Sequence, residues 1–291
     1  MAKVAFLGLG VMGYPMAGHL LKKGGHEVTV YNRSSAKAAQ WAKEYGGRTA
    51  PTPREAAAGC EFVMICVGND NDVRSVVFGD QGALAGMKKG AILVDHTTAS
   101  AIVAREVHAE AKTMGVGFVD APVSGGQAGA VNGQLGIMCG GDQPDFDRAK
   151  PVLDHYAKSC VLIGSPGAGQ LTKMVNQIVI AGLLQGLAEG LNFGKRAGLD
   201  LEKVIAVISK GAAQSWQMEN RWKQMTEVKF EGFGFAVDWM RKDLGICLEE
   251  AKKNGSRLPV TALVDQFYAQ VQGRGGSRWD TSSLMNLLAK D

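Results

Sequence analysis

The sequence predicts an α/β domain built on a doubly wound parallel sheet, then an all-α C-terminal domain, with one long interdomain helix joining the two. Short apolar runs alternate with helical patterns through the first half, as βαβ units require. A glycine-rich turn separates the first strand from the first helix, and strand signals stop after Gln170. A chain of 291 residues has room for two domains of ordinary size. The boundary is expected between residues 164 and 165, with the sheet domain over 1–164 and the helical domain over 165–291.

The first apolar run, Lys3 to Leu9, reads as a strand that breaks off in Gly8-Leu9-Gly10-Val11-Met12-Gly13. A helical pattern follows from about Pro15 to Lys23 and is closed by Gly24-Gly25. Glu27 to Tyr31, rich in β-branched residues, is the second strand. Strand, G-x-G-x-x-G, helix and strand within about thirty residues form the dinucleotide fingerprint of a Rossmann-type domain in its required context. Gly8 permits the tight turn, Gly10 lets the backbone approach a pyrophosphate, and Gly13 lets helix and strand pack closely. The helix then aims free N–H groups and a positive dipole end at the phosphates.

Three further strands are expected at Glu61–Val67, Ala91–Val94 and Gly117–Val119, with helical stretches such as Asp72–Val77 and Ile102–Met114 between them. In a parallel sheet the loops after the strands converge on the ligand. Those loops are Val67-Gly68-Asn69 and His96-Thr97-Thr98. The end of the second strand decides between NAD and NADP. An NAD-specific domain usually has Asp or Glu there, accepting hydrogen bonds from the ribose 2′-OH. This chain has Tyr31-Asn32-Arg33-Ser34-Ser35, with no carboxylate. Arg33 can grip a 2′-phosphate through its planar fork, aided by Ser34, Ser35 and Lys37. NADPH is therefore expected to be preferred over NADH.

Asp120-Ala121-Pro122-Val123-Ser124-Gly125-Gly126 follows the last clear strand. Its small residues leave backbone N–H groups uncovered, so it is either an anion-binding nest beside the Ser124 hydroxyl or a flexible loop. A helical segment runs from Gln170 to Arg196. Lys173 and Asn176, three apart, share one of its faces. Leu171, Met174, Val175 and Ile178 leave little polar surface around that lysine. More helices are expected at Leu201–Ser209, Gln214–Met225, Val237–Asn254 and Pro259–Gln272, with a short one near Ser282–Ala289.

Gly182, Gly186, Gly190 and Gly194 recur every fourth residue along the long helix. Each costs about 1 kcal/mol relative to Ala in a helix interior, so the stripe implies close approach of another helix, within the chain or across a subunit boundary. A homodimer or homotetramer is expected.

Composition excludes several classes. Hydrophobic residues at 46% and charged residues at 21% describe an ordinary globular chain. A net charge of +4 makes no case for nucleic acid. No stretch reaches the ~18 consecutive apolar residues of a membrane span, so no membrane partner is expected. The five scattered cysteines read as reduced thiols, which points to the cytoplasm. The five histidines form no metal-spaced pair, so no metal site is expected, and only His96 stands near the loop that carries Thr98. Trp216, Trp222, Trp239 and Trp279 are expected in the core or at an interface.

Four blocks resemble the β-hydroxyacid dehydrogenases, the family of 3-hydroxyisobutyrate dehydrogenase and tartronate semialdehyde reductase. They are Gly8-x-Gly10-x-Met12-Gly13-x-x-Met16-Ala17, Asp120 to Gly126, Gly167-x-Gly169-x-x-x-Lys173 and Lys242-Asp243-Leu244, spread over nearly the whole chain. The resemblance implies that Lys173 is the catalytic acid/base and that Ser124, Gly125 and Gly126 hold a substrate carboxylate. By the same resemblance Lys242 serves cofactor and substrate, and Val67, Gly68 and Thr98 line the nicotinamide side. Leu9, Val11 and Met12 lie in the cofactor turn, with Asn32, Arg33, Ser34 and Lys37 at its adenosine end. Many relatives carry Asn four residues after the lysine; this chain has Gln177, with Asn176 one place earlier, so either can be the substrate contact. The Asn-Gln order resembles tartronate semialdehyde reductases more than 3-hydroxyisobutyrate dehydrogenases.

The implied activity is NADP-dependent interconversion of a small β-hydroxy acid and its semialdehyde or keto acid. Substrates of the tartronate, methylmalonate or succinic semialdehyde type all offer the required carboxylate. A free lysine has a pKa of about 10.4, so near neutrality the donor form is at rest, which favours reduction. Rival readings are an imine reductase, a 6-phosphogluconate dehydrogenase-like enzyme and a non-catalytic NADP-binding module. The first and last are expected to lack the lysine, and the second needs a longer helical domain.

Overall fold

β-branched and aromatic runs of four or five residues make the central strands, and glycines and caps end the helices between them. The computed structural model describes residues 1–288. The chain divides into two compact units, Met1–Lys173 and Met174 onward. That division falls inside a helix, beyond the 164/165 boundary expected from sequence. The first turns of the helix are fastened to the sheet by buried hydrogen bonds, so they belong to the first unit.

The first unit opens with β1 (Lys3–Leu7), α1 (Gly13–Lys22), β2 (Glu27–Tyr31), α2 (Ser35–Tyr45), β3 (Arg48–Thr49) and α3 (Pro53–Ala57). It continues with β4 (Phe62–Ile65), α4 (Asp70–Val77), α5 (Ala83–Gly86), β5 (Ile92–Asp95), α6 (Ala101–Thr113) and β6 (Gly117–Asp120). Then come β7 (Val123–Ser124), α7 (Gly126–Asn132), β8 (Leu135–Gly141), α8 (Gln143–Leu153), β9 (Ala157–Gly164) and the start of α9 (Ala168–Arg196). The sheet order is β3-β2-β1-β4-β5-β6-β8-β7, with β9 paired to β8. From β3 to β6 all pairings are parallel.

The central strands are buried on both sides, as a helix-covered parallel sheet requires. Along β1, Val4 and Phe6 enter one apolar cluster and Ala5 and Leu7 the other. Removing the fully buried Phe6 ring would cost roughly 3–5 kcal/mol.

The sheet continues past the strand that sequence marks as its last. β8 runs antiparallel to β6 and β7, and β9 lies parallel to β8. Glycines at 136, 140 and 141 dilute the β8 pattern, and β9 exposes Lys158, Ser159, Val161 and Ile163 at the edge. β9 does carry an apolar run, Cys160 to Ile163, which sequence reading missed. Helix α2 was also without a distinct sequence signal, being polar on most of its surface.

In the second unit α9 continues to Arg196, followed by α10 (Leu201–Ile208), α11 (Trp216–Glu227), α12 (Val237–Asn254) and α13 (Pro259–Gly273). A 3-10 turn at Thr281–Leu284 leads into α14 (Met285–Leu288). These agree with the expected helices within about two residues, the usual uncertainty of helix ends; Ala289 of the last expected helix lies outside the described residues. Leu184, Met225, Met240, Leu244 and Tyr268 build its core. Trp222 and Trp279 pack against that core, whereas Trp216 and Trp239 are exposed.

The glycine stripe divides in two. A Cβ on Gly194 would crowd Leu201 at 2.8 Å and one on Gly182 would touch Val260 at 3.8 Å, but at Gly186 and Gly190 it would meet nothing within 4 Å. Val175, Val179, Leu183 and Phe193 are exposed on the same helix. Among the described residues α9 is the one helix long and apolar enough to cross a membrane by length and composition, at a mean hydropathy of 1.3. Polar residues at 170, 173, 176, 177, 185 and 189 interrupt it.

Candidate active site

The β1–α1 turn has the shape a pyrophosphate needs. Gly8 has φ +98°, and a Cβ there would run into the Cys66 carbonyl. On Gly13 a Cβ would strike the Gly8 carbonyl and the Phe6 ring, so helix and strand touch at that point. Gly10 faces open space, which leaves its backbone approachable. Leu9 is fully buried and anchors the turn, with Val11 exposed and Met12 half-buried beside it. The Leu9 N–H donates to Asn32 Oδ1 at 3.0 Å, and Asn32 Nδ2 donates to the Ser34 carbonyl at 3.2 Å. Asn32 therefore ties the glycine turn to the end of β2.

Arg33, Ser34, Ser35 and Lys37 are all exposed, and α2 begins at Ser35, so a second helix N-terminus stands beside the arginine. A groove of about 610 Å³ runs along α1 and brings Gly10 and Val11 together with Tyr14, Lys22, Lys37 and Gln127. Across from Arg33 lies a residue that sequence reading missed. Asp72, in the first turn of α4, places Oδ1 3.8 Å from Arg33 Nη1. The same carboxylate abuts Gly68, where a Cβ would come within 2.5 Å of Oδ2. No local pattern marks Asp72, because it reaches Arg33 from a distant part of the chain, the helix after β4.

The loop after β5 is held from several sides. Val67 N–H donates to Thr97 Oγ1 at 3.1 Å, and Thr97 N–H donates to Asp95 Oδ1 at 2.9 Å. Thr98 is half-buried between the buried Thr97 and Ala99. Burial pushes the Asp95 carboxyl up to about 7, aided by the nearby Asp120 and Asp70 carboxylates against hydrogen bonds from Thr97. His96, next along, has both ring nitrogens engaged, with the Ala121 carbonyl at 2.7 Å and the Tyr156 hydroxyl at 2.8 Å. Burial holds it down to about 4, so the ring is neutral and structural.

Asp120 ends β6 and caps α9. Its Oδ1 accepts from the Gly167 N–H at 2.7 Å and its Oδ2 from the Gln170 N–H at 2.9 Å, satisfying donors that a helix start leaves open. Burial raises its carboxyl to about 6 in spite of those bonds. In the second turn of this helix Lys173 is buried, only 7% exposed, and its ammonium donates to the Val123 carbonyl at 2.9 Å. Ser124 follows directly. Gly125 at φ +130° and Gly126 at φ +60° adopt conformations closed to most side chains. The fold therefore brings Lys173 against the stretch expected to hold a carboxylate.

Of the expected residues in the second unit, Asn176 is half-buried and Gln177 buried. Asn176 Nδ2 donates to Gln177 Oε1 at 2.7 Å, and Gln177 Nε2 donates to the buried Asp243 Oδ2 at 2.7 Å. Lys242 Nζ lies 3.1 Å from Asp243 Oδ1. Asp243 and Gln170 are the supporting groups that side-chain chemistry alone did not single out. Their signal was position: one follows Lys242, and the other lies one helical turn before Lys173.

The chain resembles known proteins over its whole length. Residues 3–164 match the model of the NAD-binding domain of 6-phosphogluconate dehydrogenase. Residues 167–288 match that of the NAD-binding domain of NADP-dependent 3-hydroxyisobutyrate dehydrogenase. An uncharacterised oxidoreductase of Shewanella frigidimarina is 65% identical over 100% of this chain and 99% of its own length. The 2-hydroxy-3-oxopropionate reductase of Escherichia coli is 33% identical over 98% of this chain and 97% of its own. Among solved structures, the 3-hydroxyisobutyrate dehydrogenase of Mycobacterium tuberculosis with L-serine superposes with a TM-score of 0.90 at 30% identity, covering 100% of both chains.

Proposed function

The chain belongs to the β-hydroxyacid dehydrogenase family, nicotinamide-dependent oxidoreductases that act on the hydroxyl group of hydroxy acids, and on that premise we propose that it is an NADPH-preferring cytoplasmic reductase of a small semialdehyde acid. The observation that carries this reading is the buried Lys173 ammonium beside Val123 and Ser124. When bound, the nicotinamide supplies or takes up hydride at the substrate carbon. The glycine turn from Gly8 to Gly13 suits the cofactor's pyrophosphate, and Arg33, Ser34 and Lys37 suit a 2′-phosphate.

Lys173 manages the proton. In reduction it donates to the oxygen that gains charge; in oxidation it takes the proton from the hydroxyl. Ser124 and the N–H groups of Gly125 and Gly126 orient the substrate through its carboxylate. Burial of Lys173 keeps water from competing for the proton and strengthens its interaction with a developing alkoxide. Asn176, on the Lys173 face of α9, is the assigned substrate contact. Gln177, spoken for by Asp243, supports it. Lys242 is assigned to substrate and cofactor by its Lys242-Asp243-Leu244 block.

The relatives named above act on or were solved with three-carbon acids: 2-hydroxy-3-oxopropionate in one case and L-serine in another. The Asn-Gln order points the same way, so 2-hydroxy-3-oxopropionate, also called tartronate semialdehyde, is the first substrate to test. NADPH and NADH consumption should be followed with it and with methylmalonate and succinic semialdehydes. Turnover fastest with the three-carbon acid and NADPH is expected, and silence with all three would overturn the reading.

A second copy of this chain is the proposed occupant of the open side of α9. Leu183 and Phe193 stand at equal spacing on either side of the midpoint between Gly186 and Gly190. In an antiparallel pair of such helices each bulky side chain meets its counterpart across a glycine pair, which makes the face self-complementary.

A further inference from the structure

The loop that carries Thr98 and the helix that carries Lys173 come from distant parts of the chain, yet one side chain joins them. Gln170 is fully buried. Its Nε2 donates to the Thr97 carbonyl at 2.7 Å, and its Oε1 accepts from the Ala99 N–H at 3.0 Å. The amide thus grips the backbone immediately before and after Thr98. Its own N–H donates to Asp120, so the residue that holds the loop is itself held at the capped start of α9. Lys173 lies three residues further along the same helix face.

We propose that Gln170 is a positioning residue that sets the register between the Thr98 loop and the Lys173 ammonium. The chemistry demands such a device. Hydride and proton must reach two adjacent atoms of one substrate, and displacement of about 1 Å costs up to roughly 10²-fold in rate. A primary amide is the group that fits. It offers a donor to the carbonyl and an acceptor to the N–H in one planar unit. A carboxylate in its place would turn a second oxygen toward the Thr97 carbonyl, and an apolar side chain would leave both backbone groups buried and unpaired.

The inference rests on the assignment of Lys173 and Thr98 above, and its test includes a measurement independent of turnover. Gln170→Met keeps the length of the side chain without its hydrogen bonds. Amide exchange in the cofactor-free protein is expected to speed up about tenfold or more at Ala99, with β1, β4 and β5 unchanged. In the same variant kcat should fall roughly 10- to 100-fold while KM for the hydroxy acid moves little. Gln170→Glu supplies a pH signature. Protonated, it can donate to Thr97 and accept from Ala99 as Gln170 does; ionised, it cannot. Its kcat should approach the parent at acid pH and decline as pH rises, with the fold retained by circular dichroism.

Unchanged exchange at Ala99, exchange accelerated equally across the sheet, or a parental kcat in Gln170→Met would each overturn the proposal. Lys173→Ala measured alongside separates the two assignments. Full turnover there would refute the proton-carrier reading, and with it the register proposed for Gln170, while the Ala99 exchange rate would still report whether the clamp exists.

Discussion

Arg33 Nη1 and Asp72 Oδ1 stand 3.8 Å apart at the mouth of the dinucleotide site. The arginine assigned to a 2′-phosphate thus faces a carboxylate delivered by α4. The Arg33 side chain is 92% exposed and that of Asp72 34%, so this pair is weak and screened, and the arginine is able to turn toward a phosphate. Arg33→Ala should weaken NADPH by about 1.5–3 kcal/mol and leave NADH nearly unchanged. Asp72→Asn should strengthen NADPH by up to about 1 kcal/mol, because it removes both a competitor for Arg33 and a like charge. Fluorescence titration with both cofactors checks the two variants, and equal losses for NADPH and NADH in Arg33→Ala would refute the assignment.

Replacing Lys173 by Ala should lower kcat by 10²-fold or more, the scale of a lost acid/base group, without changing cofactor affinity. The pH dependence separates the two directions. Oxidation needs the neutral amine and should accelerate toward alkaline pH; reduction needs the ammonium and should not. Initial rates across pH 6 to about 10, spanning the ordinary lysine range, check this. An oxidation rate flat over that range would count against Lys173 as the base.

Asp95 and Asp120 couple stability to pH. Burial pushes Asp95 up to about 7 and Asp120 up to about 6. Carboxyls raised in the folded state bind protons more tightly there than in the unfolded chain, where Asp has a pKa of about 3.9. Their favourable contribution is complete below that value and is lost as pH rises through about 6 to 7. Unfolding free energy from urea titration should therefore decline between pH 4 and about 7 on their account. Asp95→Asn should flatten the decline and stabilise the protein at pH 8, because the cost of ionising a buried carboxyl disappears. Stability with the same slope in the variant would exclude Asp95 as its source.

Self-association through α9 predicts opposite effects on fold and assembly. Gly186→Leu with Gly190→Leu fills space that is open in the single chain and raises helix propensity by several tenths of a kcal/mol per site. The variant should be at least as stable to heat at low concentration, yet sediment as a smaller species than the parent. An unchanged oligomer would put the contact elsewhere.

Much of this protein was legible residue by residue. The fingerprint from Gly8 to Gly13, the β-branched run of β2 and the 3.6-residue periodicity of α9 and α12 are local patterns, and each became the element expected of it. Apolar neighbours along the helix drew notice to Lys173, while the roles expected of it and of Ser124-Gly125-Gly126 came from the family blocks that contain them. The strand β8 escaped because its glycines dilute the apolar pattern, whereas β9 was missed although Cys160 to Ile163 forms an apolar run.

The amino-acid order by itself determined the two kinds of unit and the cofactor turn, since each depends on contacts within a few residues. Only the folded chain decided what stands beside them: Val123 under the Lys173 ammonium, Asp72 opposite Arg33, Gln170 around Thr98 and Gln177 on Asp243. Those partners are separated by thirty-nine or more positions, and a hydrogen bond or ion pair reaches across such a gap only after the sheet and the helices have set the distance. Periodicity and propensity, being local quantities, hold no record of it.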